Sequence, residues 1–203
     1  MMTLVCILDY GSGNVSSVNN MVSQLTDSKI SNLANDLDNC THIVLPGVGG
    51  FAAAMTKIKE TLPLESLISN LEKGKPFLGI CVGMQVLFQR GDEFGSVDGL
   101  GLLEGRVSKL SSNGLNLPHV GWNSIESVKP HALLSGLSKE DDFYFTHSYA
   151  PEGLNEDTVI ARTEYGESFT SIVGRDNLLG VQFHPEKSQS SGFKLMENFL
   201  ELS

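Results

Sequence analysis

Along the first half of the chain, short apolar runs alternate with longer stretches in which apolar positions recur at helical spacing. Leu4 to Leu8, His42 to Leu45 and Phe77 to Ile80 are dominated by aliphatic and aromatic residues, which predicts buried strands. Between them, Val15 to Leu25, Phe51 to Lys59 and Leu64 to Lys73 repeat apolar residues every three or four positions, as helices with one buried face do. Gly74 stops the last of these, and Pro76 keeps it from continuing. A further helical run is predicted over Met84 to Arg90. This alternation is the pattern of a parallel sheet covered by helices, an α/β fold. After about residue 100 the pieces shorten, with β-type segments around Val107, Ile125, Phe143, Val159, Ile172 and Val181 and a final helix over Phe193 to Leu200. Antiparallel additions are expected in this half.

The 203 residues, 40% of them hydrophobic, suffice for one substantial core. No repeat, low-complexity tract or Pro/Gly/Ser linker divides them, so a single domain over 1–203 is expected. With 14 basic against 24 acidic residues the formal charge is −10, and no segment concentrates Lys and Arg. Nucleic acid and anionic membrane are therefore poor partners. Cys6, Cys40 and Cys81 are odd in number and widely spaced, against both a disulfide framework and a zinc site. No His/Cys/Asp cluster has metal-ligand spacing, and no metal is expected. The apolar run near the N-terminus has no basic flank and is too short for a signal peptide or a membrane span. A cytoplasmic protein is expected.

The chemistry concentrates in two segments. Gly79-Ile80-Cys81-Val82-Gly83-Met84-Gln85 follows an apolar strand and has the form GxCxG. A nucleophile on a sharp strand-to-helix turn needs small neighbours, because the strained backbone leaves no space for side chains. The helix start favours the thiolate and offers free N–H groups, that of Val82 among them, to an oxyanion. Taken alone, the segment fits a buried structural cysteine between packing glycines almost as well. The second segment, Gly180-Val181-Gln182-Phe183-His184-Pro185-Glu186-Lys187-Ser188, sets His184 and Glu186 two residues apart. In extended chain they point the same way, so the imidazole can take the Cys81 proton while the carboxylate fixes its tautomer. An isolated HxE pair carries little meaning; joined to GxCxG, it points to catalysis.

GICVGMQ, QFHPEKS and the earlier LPGVGGF together resemble the class I glutamine amidotransferases. Pro118-His119-Val120-Gly121-Trp122-Asn123 and Phe143-Tyr144-Phe145-Thr146-His147-Ser148-Tyr149 are similar, more narrowly, to the glutaminase subunits of imidazole glycerol phosphate synthases, and the similarity runs from Tyr10-Gly11-Ser12-Gly13-Asn14 to Ser188. The resemblance implies a flavodoxin-like open, mostly parallel sheet with helices on both faces and no cofactor. It implies glutamine as substrate, with Cys81 as nucleophile, His184 as general base and Glu186 as its orienter. Val48 and Val82 would supply the oxyanion N–H groups, and Gly49, Gln85, Glu93, Ser148 and Tyr149 would hold glutamine. The partner implied is a separate (β/α)8-barrel cyclase, joined in a heterodimer, with Asn14, Trp122, Asn123 and Lys187 near the interface. A glutaminase for anthranilate, pyridoxal phosphate or guanylate synthesis is the alternative; it would keep the Cys-His-Glu set without PHVGWN and FYFTHSY.

Four features invite other readings. Gly11-Ser12-Gly13-Asn14 lacks GxGxxG spacing and a following Lys-Ser/Thr, so nucleotide binding is the poorer reading. Trp122, the only tryptophan, is expected in a Gly-Trp-Asn loop as an interface anchor. Gly47 and Gly49 flank Val48, predicting a turn whose backbone exchanges conformations at small steric cost. His42 and His131 are expected to be solvated or structural.

Overall fold

In the computed structural model, which describes residues 3–11 and 14–203, the apolar runs become neighbouring strands of one sheet. Ser12 and Gly13 of the glycine-rich turn lie outside the described residues, as do Met1 and Met2. The first half comprises β1 (Leu4–Leu8), α1 (Val15–Val22), β2 (Asp27–Ser31), α2 (Ala34–Asn39), β3 (His42–Gly47), α3 (Phe51–Thr61), α4 (Leu64–Glu72), β4 (Phe77–Cys81) and the single turn α5 (Val82–Gln85). There follow β5 (Phe88–Gly91), β6 (Val97–Asp98), β7 (Leu103–Lys109), β8 (His119–Ser124), β9 (Glu126–Ser127) and β10 (Asp142–His147). The chain ends with β11 (Tyr149–Glu152), β12 (Val159–Tyr165), β13 (Glu167–Arg175), β14 (Leu178–Val181) and α6 (Gln189–Leu200).

The main sheet has eight strands in the order β2-β1-β3-β4-β14-β13-β12-β9. From β2 to β14 neighbours pair in parallel, and β13, β12 and β9 continue the sheet antiparallel. This is the open, mostly parallel sheet with antiparallel additions that the sequence predicts. Every residue of β3, β4 and β14 is buried, which is why these strands read as unbroken apolar runs. α1 contributes Val15, Val18, Met21 and Val22 to the core, and α3 contributes Phe51, Ala54, Met55 and Ile58. Two smaller sheets, β10-β8 and β11-β7-β5-β6, build one wall over the carboxyl ends of β3, β4 and β14. Ligand sites of open α/β sheets lie at such ends.

Several elements depart from the expected pattern. The helix expected over Met84 to Arg90 is a strand for much of its length: α5 stops at Gln85, and Phe88–Gly91 pairs with β6 and β7. Val86, Leu87 and Phe88 are all fully buried, so apolarity without a polar face suits helix and strand equally. β2 and α2 leave little apolar signal, since β2 is a mostly exposed edge strand and α2 buries only Leu37. α1 ends at Val22; Leu25 belongs to the following turn, its N–H bonded to Val22 O at 2.9 Å. α6 starts earlier than expected, at Gln189. Trp122 lies in β8, opposite Tyr144 of β10, and not in a loop. No helix among the described residues is long and apolar enough to cross a membrane.

Candidate active site

Cys81 closes β4 and opens α5, with φ 54° and ψ −112°. A non-glycine residue in that region is strained and must be held there by its surroundings. The holding contacts are backbone on backbone. A Cβ on Gly79 would lie 2.5 Å from Gly83 O, and one on Gly83 would overlap Leu45 O in β3. A Cβ on Gly47 would overlap Gly83 N and lie 2.8 Å from Tyr10 Oη. The glycines of GxCxG are thus required by contact with each other and with β3. Gly47 is part of the same packing, so it is no hinge, contrary to expectation. Gly49 keeps the freedom assigned to it, with φ 90° and nothing within 4 Å of an added Cβ. The expected helix dipole at Cys81 is also reduced, because a four-residue helix sums few peptide dipoles. What remains are the first N–H groups of α5, which have no partner within the helix.

His184 and Glu186 flank Pro185 in a short 3-10 turn beyond β14. His184 Nδ1 and Glu186 Oε1 are 2.8 Å apart, and both side chains are 1% exposed. With Nδ1 committed to the carboxylate, Nε2 remains, buried and without a hydrogen-bond partner among the described residues. Burial opposes a charge on His184. Interaction with Cys81 and Glu186 outweighs it and raises the imidazole to about 9. Burial likewise opposes the charge on Glu186, but hydrogen bonds from His184 and Asn14 hold its carboxyl below the usual range. His184 is therefore held as an imidazolium beside the Glu186 carboxylate, with Cys81 next to it.

Cys81 and His184 share a cavity of about 320 Å³ with Val48, Gly49, Val82, Gln85, Glu93, Ser148 and Tyr149. Every residue assigned to the oxyanion or to substrate lines this one space. Pro118, Thr146 and His147 complete it. Gln85 Nε2 donates to Tyr149 O at 2.9 Å and to Gln182 Oε1 at 3.1 Å. Glu93 Oε2 accepts the Phe51 N–H at 2.8 Å, so the carboxylate both caps α3 and borders the cavity. It is no loose turn residue.

The interface assignments divide. Trp122 is 47% exposed and packs edge-on against Tyr144, centroids 5.9 Å apart, while Lys187 Nζ stands 5.5 Å over the same Tyr144 ring. Val120, on the same face of β8, is 57% exposed. Asn123 alternates to the other face: its Nδ2 donates to Glu164 O at 2.9 Å and approaches His119 Nε2 at 3.4 Å. Strand geometry thus turns it inward, away from Trp122. Asn14 also turns inward, donating from Nδ2 to Glu186 Oε1 at 2.5 Å. Three residues gain a place that sequence reasoning did not give them. Gln182 Nε2 points to Cys81 Sγ at 3.7 Å, and its position two residues before His184 was the available signal. His147 Nδ1 donates to Tyr149 O at 2.9 Å, and His119 Nδ1 meets His147 Nε2 at 3.2 Å. Burial pushes His119 down to about 4 and His147 down to about 3.

Residues 6–202 match the family model described as glutamine amidotransferase class-I, and the chain belongs to that family. A relative named imidazole glycerol phosphate synthase subunit HisH, from Desulfitobacterium hafniense, is 45% identical over 197 residues, covering 97% of this chain and 93% of its own. Another of that name, from Methanocaldococcus jannaschii, is 41% identical over 200 residues, covering 98% of this chain and all of its own. Identity at this level over nearly the whole length sets the chain among the HisH subunits. The solved structure of PurLQS from Thermotoga maritima aligns with a TM-score of 0.76 at 17% identity over 98% of both chains, which establishes the shared fold alone.

The histidines divide by environment, and a titration followed by NMR reads the division. His184 is expected to keep its proton up to about pH 9, and His119 and His147 to stay neutral down to about pH 4 and 3. The latter two bind protons more readily once unfolded. Their contribution to stability is therefore intact above about pH 6.5 and is lost as pH falls toward 4 and then 3. A His184 transition near its ordinary value would contradict the imidazolium assignment.

Proposed function

We propose that the chain, as one class-I domain, hydrolyses glutamine at Cys81 and passes the ammonia to a separate (β/α)8-barrel cyclase with which it forms a heterodimer. The observation that carries this is the buried His184–Glu186 pair, 2.8 Å between Nδ1 and Oε1, opening on the same cavity as Cys81. The Cys81 thiolate attacks the carboxamide carbon, forming a carbon–sulfur bond and an oxyanion. N–H groups of Val82 and Val48 receive the oxyanion. Collapse breaks the carbon–nitrogen bond as the His184 imidazolium gives its proton to the leaving ammonia. Neutral His184 then takes a proton from water, the hydroxide attacks the thioester, and the thiolate leaves with glutamate as product. Glu186 holds the Nδ1 proton throughout, and Asn14 holds Glu186. Glu93 is suited to the α-ammonium group of glutamine, with Gly49, Gln85, Ser148 and Tyr149 around the remainder. Turning of the Val48–Gly49 peptide, allowed by Gly49 at φ 90°, tunes the oxyanion site to the partner's state.

Two observations favour imidazole glycerol phosphate synthesis over the anthranilate, pyridoxal phosphate or guanylate pathways. Relatives 41% and 45% identical carry the HisH name, and PHVGWN and FYFTHSY, which form β8 and β10, frame both the cavity and the Trp122 face. The cytoplasm, where the pathway's small-molecule substrates are made, is the compartment this reading implies. The docking face is centred on Val120, Trp122, Tyr144 and Lys187.

In the complex, Cys81→Ala is expected to abolish glutamine-dependent synthesis while ammonia-dependent synthesis at alkaline pH persists, because only the glutaminase half needs a thiolate. Full glutamine-dependent turnover in this variant would sink the assignment.

Trp122→Ala is expected to weaken the complex by tens of fold, since truncating a buried aromatic anchor commonly costs about 2 kcal/mol or more. Titration calorimetry reads this directly, and an unchanged dissociation constant would remove Trp122 from the interface.

A further inference from the structure

The mechanism above leaves unused a buried polar contact to the reacting sulfur. Gln182 is fully buried, and its side-chain nitrogen lies 3.7 Å from Cys81 Sγ. The nitrogen and oxygen of an amide are told apart by their hydrogen-bond partners, so the contact has meaning because its orientation is forced. Here a backbone carbonyl forces it. Tyr149 O can only accept, and Gln85 approaches it at 2.9 Å, so Gln85 must present its NH2 group there. The other proton of that group reaches the Gln182 amide at 3.1 Å, which must offer its oxygen. The Gln182 NH2 group is thereby turned to the sulfur. A reversed Gln182 would set two NH2 groups against each other and a carbonyl oxygen against the thiolate.

The same carbonyl is fixed from its other side. His147 Nδ1 donates to Tyr149 O at 2.9 Å, which leaves His147 Nε2 to accept from His119 Nδ1 at 3.2 Å. Asn123 then supplies the donor facing His119 Nε2 at 3.4 Å. Each bond in this chain, from Asn123 to Cys81, has one permitted direction. Its end is an N–H aimed at sulfur.

We propose that Gln182 is a further catalytic residue of this glutaminase: its side-chain N–H stabilises the Cys81 thiolate, in an orientation dictated through Gln85 by the Tyr149 carbonyl. A thiolate accepts a hydrogen bond far better than a thiol or a thioester does, so the contact favours the ionised nucleophile and weakens once the acyl group is attached. It therefore supports formation of the attacking species and does not select the substrate. The proposal rests on Cys81 as the nucleophile.

The test is the pH profile of Cys81 alkylation by iodoacetamide, read by peptide mass spectrometry so that Cys6 and Cys40 are scored separately. Gln182→Met removes the donor at similar length, and Gln182→Glu replaces it with an acceptor. Both profiles are expected to move to higher pH, the Glu variant further, with alkylation at neutral pH falling roughly tenfold or more and converging with the wild type at high pH. In the complex, kcat for glutamine should fall by a similar factor with KM little changed. In the unmutated chain, the Gln182 side-chain amide resonance should shift with pH in step with Cys81 reactivity, and this response should vanish in Cys81→Ala. That measurement decides the matter even if neither Gln182 variant folds. An unmoved alkylation profile in a folded variant, or an amide resonance indifferent to Cys81, overturns the proposal. If Cys81→Ala retains glutamine-dependent turnover, the nucleophile assignment itself has failed; if that variant is inactive and only the Gln182 results are negative, Gln182 alone is excluded.

Discussion

The site depends on a backbone-to-backbone packing that only glycine permits. Gly79, Gly83 and Gly47 let the end of β4, the first turn of α5 and the end of β3 approach within distances that no Cβ could occupy. This approach holds Cys81 at φ 54°, where its sulfur faces the cavity and does not sink among the core side chains. It also sets Val48 and Gly49, which leave β3, beside Val82, which enters α5. The strain at one residue is thus sustained by the close packing of its neighbours. A methyl group on Gly83 would disturb Cys81 and the end of β3 together.

Around this framework the polar groups are sorted by partner. His184 is buried but has an acid on one nitrogen and a thiol near the other, so it is raised; His119 and His147 are buried among aromatic rings with only neutral partners, and are lowered. One amino-acid type is therefore held in two opposite protonation states. In the proposed reaction the charged histidine exchanges protons, whereas the neutral pair is held in one bonding direction by Tyr149 O, which can only accept. Asn14 extends the same logic, because its bond to Glu186 keeps the carboxylate aligned on His184.

The fold was legible where burial is uniform. β3, β4 and β14 are buried throughout, and their short apolar runs, β3 and β4 bounded by Gly or Pro, read as strands of a covered sheet. Legibility failed where one pattern suits two structures, as at Val86 to Phe88, or where an element is exposed, as in β2. Of the candidate site, Cys81, His184 and Glu186 were singled out by residue type and spacing and the other cavity residues by resemblance alone, and the fold brings Cys81 and His184 to one cavity with them. The internal bonds of Asn123 and Asn14 were not legible, because neighbours in sequence point to opposite faces of a strand and a polar residue at a turn can face inward as easily as out. Gln182 was missed because an amide has no chemistry of its own until its partners fix which end meets the sulfur.

The central claim is that Cys81 is the one nucleophile of a glutamine site. The most direct measurement is peptide mapping after treating the complex with an electrophilic diazoketone analogue of glutamine. The account predicts a single adduct on Cys81, formed with saturation kinetics and suppressed by glutamine. An adduct on Cys6 or Cys40, or labelling of Cys81 that glutamine fails to suppress, would contradict it.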